Sequence, residues 1–93
     1  MSEQKAWKPE IGEVVWWKAK GEHVPALVFD LYKNGCALFV EQMDYNENTV
    51  IGDAYGYIYQ LSELTDEHRA QFPDEIALLK AASVLVRKKW VDK

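Results

Sequence analysis

The chain has 93 residues, 48% of them hydrophobic, and a formal net charge of −4. That length allows one domain with a modest core, and the apolar content excludes disorder. The acidic balance argues against a protein devoted to neutralising nucleic-acid phosphates, since such domains are usually basic.

The N-terminal "MSEQKAWKPE" is polar and lacks the apolar stretch of a signal peptide, and no run is long enough to span a bilayer. A single cysteine, Cys36, has no partner for an internal disulfide and lies in the apolar run "GCALFV". These features predict a cytosolic protein with an inert, buried thiol.

Up to about Leu61, short segments rich in Val, Trp, Tyr and Phe alternate with Gly, Asn and Asp, the pattern of strands and turns. Residues 13–20 form a first predicted strand, ended by Gly21, and residues 24–32 a second. "KNG" then closes a hairpin, with Asn34-Gly35 expected at positive φ. Residues 35–42 form the third strand and residues 54–61 the last, with a short extra strand at 49–51 after the loop "DYNEN". Four or five short strands joined by tight turns predict a small closed barrel, which leaves no exposed edge. After Leu61 the chain turns helical. Thr65 caps a short helix within 65–72, and Pro73 separates it from a longer one at 74–91, acidic at its start and basic at its end.

Alternation along each strand assigns the aromatics to faces. Val15, Trp17 and Ala19 point inward with Cys36, Leu38 and Val40, while Trp16 and Phe39 point outward. Tyr55, Tyr57 and Tyr59 share one face of the last strand. The candidate ligand-binding set is therefore Trp16, Phe39, Tyr55 and Tyr57, which suits a peptide, a cation or a proline-rich strand. The competing expectation is that the C-terminal helix covers these rings, because aromatics on a half-buried sheet are ordinary core material.

The stretch "GEVVWWKAKG", followed by Pro25-Ala26, resembles the opening of PWWP domains, relatives of Tudor domains. Gly12, Val15, Trp16, Lys18, Lys20, Gly21, Pro25 and Ala26 carry the resemblance, which extends over about Ile11 to Leu64. It implies an SH3-like barrel followed by helices. The family's aromatic cage for methyl-lysine falls here on Val24 and on Phe39-Val40, so the resemblance implies the architecture more than the ligand.

The motifs of several chemistries are missing. "DYNENTVIGDAY" opens like a calcium loop, but Thr49 stands where glycine is needed and Tyr55 where a bidentate glutamate is needed, so a polar hairpin loop is the better reading. His23 and His68 lie far apart in the chain and read as surface or capping residues rather than general bases. No phosphate loop, metalloprotease or serine-hydrolase motif occurs. The expectation is a non-catalytic binding module without metal or cofactor, whose partner is a protein or peptide. The alternative is nucleic-acid binding through Lys80, Arg87, Lys88 and Lys89, beside Trp90. Finally, Ile76, Leu79, Ala82, Val86 and Trp90 form a stripe that docks the long helix. Ala77, Ala81, Val84 and Val91 leave its other half apolar, which predicts a homodimer through that helix.

Overall fold

The computed structural model describes residues 7–86. The fold is mainly β with C-terminal helices. Its strands are β1 (Val14–Ala19), β2 (Glu22–Leu31), β3 (Gly35–Met43), β4 (Thr49–Tyr57) and the short β5 (Leu61–Ser62). They form one five-stranded antiparallel sheet in the order β4-β3-β2-β1-β5. Helices α1 (Asp66–Gln71) and α2 (Pro73–Val86) follow. The predicted long helix is thus seen as far as Val86, and its expected last turn, with Arg87, Lys88, Lys89, Trp90 and Val91, lies outside the described residues. No helix among the described residues is long and apolar enough to cross a membrane.

The expected closed barrel is corrected to an open sheet. β4 and β5 follow each other in the chain yet stand at opposite ends of the strand order, and no ladder joins them. A 3-10 turn at Ile58–Gln60 interrupts what the sequence reads as continuous strand. The Gln60 side-chain oxygen drives this turn by accepting from the Tyr57 N–H at 2.9 Å and from the Trp17 indole N–H at 3.2 Å. β5 is left with two residues, which pair with β1. Upstream, the expected break between residues 51 and 54 is absent. Gly52 and Asp53 continue the ladder opposite Val40 and Phe39, so β4 is one nine-residue strand.

The β2–β3 hairpin forms where expected, but its turn chemistry differs. Among the described residues, positive φ occurs at Gly12, Gly21 and Glu47, and not at Asn34 or Gly35. Gly35 is required for space instead: a Cβ there would meet the Gly56 carbonyl and sit 2.7 Å from the Tyr55 ring. In the β3–β4 loop, the Asp44 carboxylate accepts the backbone N–H groups of Asn46 and Asn48, each at 2.9 Å, which is how a polar hairpin loop satisfies its donors.

The sheet buries both faces. On one lie Val15, Ala26, Val28, Cys36, Leu38 and Val40, with Leu61 and the half-buried Trp17. Burial pushes the Cys36 thiol above its usual range, away from the reactive thiolate. On the other face the helices cover Trp16, Leu27 and Phe39 with Ile76, Leu79, Val86 and Phe72. Thr65 caps α1, its hydroxyl accepting from the His68 N–H at 3.2 Å while His68 Nδ1 accepts from the Thr65 N–H at 3.1 Å. That exchange fixes the imidazole flat over Trp16, with ring centroids 3.8 Å apart.

Candidate functional site

The residues expected on the outer face separate into two groups. Trp16 and Phe39 point to that face but are covered. Trp16 is 7% exposed beneath His68 and Phe72, and Phe39 stacks on Phe29 at 3.9 Å within the cluster around Leu79. Trp16 is buried and Phe39 is half-buried. α2 packs across β1, β2 and β3, so the same face of β4 stays open. Tyr55 and Tyr57 remain 41% and 48% exposed.

These two rings belong to a longer ladder. Tyr32, at the end of β2, lies 5.9 Å from Tyr55, which meets Tyr57 edge-on at 5.2 Å. Tyr57 in turn stacks on Tyr59 at 5.7 Å, with the planes 15° apart. The 3-10 turn takes Tyr59 out of the strand yet keeps it in the row. Asp30 orients the first ring by accepting from the Tyr32 hydroxyl at 2.9 Å, and that bond raises the phenol's pKa because it holds the proton. The spacing of Tyr55, Tyr57 and Tyr59 is visible in the sequence. Tyr32 had no such signal, because its place in the row depends on the β2–β3 hairpin returning beside β4.

β4 also presents a free edge. Its nine pairs with β3 run without a bulge, its other side has no strand partner among the described residues, and its sequence TVIGDAYGY contains no proline and one charge. Edge strands are usually protected by bulges, prolines or several charges, and this one has little of that protection. Along the outer face beyond Tyr55 the surface turns acidic, with Asp53 opposite Phe39 and Glu41 nearby on β3. Partial burial and the charge of Glu41 hold the Glu75 carboxyl above its ordinary range.

Of the four basic candidates, Lys80 lies among the described residues. Lys80 borders a shallow groove with Arg69, but Glu13 and Glu63 line the same groove and offset the positive charge. Arg87, Lys88 and Lys89 lie outside the described residues. Comparison with protein-family models, curated proteins and solved structures finds no match, so the side chains carry the functional argument.

Proposed function

We propose that the protein is a non-catalytic binding module for an extended segment of a partner polypeptide. The observation that supports this is the exposed row Tyr32, Tyr55, Tyr57 and Tyr59 beside the unprotected edge of β4. An added strand gains main-chain hydrogen bonds along a free edge, and tyrosine rings give selectivity for alternate side chains at little entropic cost. The PWWP-like resemblance supports a binding role in general. Its cage positions, Val24, Phe39 and Val40, are at least half-buried here and offer no open aromatic box. A displayed library of random decapeptides is the test. Enriched peptides are expected to bind the native chain and to weaken at least tenfold on Tyr57→Ala, as a central interface tyrosine does at about 2 kcal/mol. Binders indifferent to both Tyr55→Ala and Tyr57→Ala, or no enrichment at all, would refute the reading.

A second proposal concerns self-association through α2. Ile76, Leu79 and Val86 are buried against the sheet, whereas Val84 and Leu85 are 64% and 69% exposed on a helix whose far side also carries Ala77 and Ala81. A two-fold contact between copies would cover these side chains. Sedimentation equilibrium is expected to show a dimer that weakens on Val84→Lys; a mass of 10.8 kDa persisting at high concentration would exclude it.

A further inference from the structure

Next to the tyrosine row, a groove opens where the N-terminal segment, the β2–β3 turn and the 3-10 turn meet. Trp7 and Leu61 form its floor, Tyr32 lines its side, and it encloses about 370 Å³. That is enough for a large apolar side chain. Trp7 and Leu61 are packed into the first core, which makes the floor firm. Leu31 and Ile58 are exposed at its mouth. A cleft bordered by Tyr57, Tyr59 and Asn34 adjoins it, and Lys33 and Ile58 line both.

Two lysines stand on the rim of this groove in an acidic protein. Lys8 and Lys33 line it, and neither enters an ion pair among the described residues. Two nearby carboxylates are held in hydrogen bonds, while that of Glu10 is exposed. Asp30 accepts from the Leu31 N–H and the Tyr32 hydroxyl, and Glu13 accepts from the Trp7 indole and the Glu10 N–H. The result is an apolar hole flanked by two lysines that have no ion-pair partner among the described residues, set in a chain of net charge −4.

We infer that this groove is a side-chain pocket for an acidic-hydrophobic peptide, in which an apolar residue fills the floor and flanking Asp or Glu residues meet Lys8 and Lys33. The rim lysines suit an anionic ligand, and the chain's net charge of −4 disfavours a polyanion such as nucleic acid, so the occupant is a peptide carrying a few carboxylates. The inference rests on the reading that this end of the molecule binds polypeptide. Tyr32 borders both, but Trp7, Lys8 and Lys33 belong to the groove and not to the row, so the two are tested apart.

The probes are two blocked hexapeptides, Glu-Glu-Phe-Leu-Glu-Glu and its counterpart with Lys for every Glu, titrated into the ¹⁵N-labelled full chain. The acidic peptide is expected to shift the Trp7 indole N–H and the amides of Lys33 and Ile58. Two exposed ion pairs of ordinary strength should make it bind roughly fivefold to tenfold more tightly than the basic peptide at low salt. Added salt should erase that preference. The double variant Lys8→Glu/Lys33→Glu, at two exposed positions, should invert the order of the two peptides while keeping a folded spectrum. Tyr57→Ala should leave the order unchanged. Equal binding of both peptides, shifts confined elsewhere, no shift at all, or an order indifferent to the charge reversal would overturn the pocket. So would an oligothymidylate that shifts Trp7 more strongly than the acidic peptide. Failure of the tyrosine reading shows separately, as decapeptide binding that survives Tyr55→Ala and Tyr57→Ala.

Discussion

Replacing Trp16 by alanine is expected to cost about 3–5 kcal/mol, the range for deleting a large aromatic from a packed site. Trp16 joins three elements. It sits on β1, its indole stacks under His68 of α1 at 3.8 Å, and it meets Phe72, at the end of α1, at 5.5 Å. Leu64 and Ile76 complete its cluster, so the side chain links the sheet to both helices. A domain this size has about 5–15 kcal/mol of total stability, and the loss would bring it near the threshold of folding. Urea denaturation followed by circular dichroism measures it. Trp16→Phe, which keeps a ring beneath His68, should lose markedly less. If Trp16→Ala cost under 1 kcal/mol, the indole would have to be a surface group and the helices would have to lie elsewhere.

Gly35→Ala is expected to lower stability by about 1–3 kcal/mol through overpacking and to displace the Tyr55 ring. The added methyl would press on two neighbours of different stiffness. The Tyr55 ring, with Cζ and Oη both at 2.7 Å, can swing away, but the Gly56 carbonyl belongs to the β3–β4 ladder and cannot. Stability and the regularity of the tyrosine row should therefore fall together. Gly21→Ala provides the contrast. No atom lies within 4 Å of a Cβ there, and only the φ of +81° opposes the substitution, a penalty of about 1 kcal/mol. Urea midpoints rank the two variants, and the ring resonances of Tyr55 report its displacement. A Gly35→Ala protein as stable as Gly21→Ala, with Tyr55 unmoved, would contradict the packing described.

The parity of the strands was legible from residue order alone, because it is a local property with a period of two. Val15, Cys36, Leu38 and Val40 line one core as alternation requires, and Trp16 and Phe39 lie on the opposite face. Thr65 as a helix cap and Pro73 at the start of α2 were equally legible, since both follow from backbone groups within one turn. The same holds for the docking stripe of Ile76, Leu79 and Val86.

Which part of the outer face stays open was decided by tertiary structure. Trp16 and Tyr57 share that face, yet one is buried and the other half exposed, because α2 packs across β1 to β3 and leaves the outer face of β4 uncovered. Parity names a face but carries no information about where a distant helix will lie on it. The open sheet has a similar origin. Gln60 ends the last strand early by binding Trp17 from 43 residues away, a contact that no local pattern encodes. The groove between Trp7, Leu31 and Ile58 was invisible for the same reason: its walls come from three segments that meet only once the sheet has curled. The sequence by itself thus determined the first three strands, the faces of the strands, the starts of the two helices and the cap, all of them short-range consequences of sterics and backbone hydrogen bonding. Which aromatic residues stay exposed was left to the tertiary structure, because exposure depends on what packs above each residue.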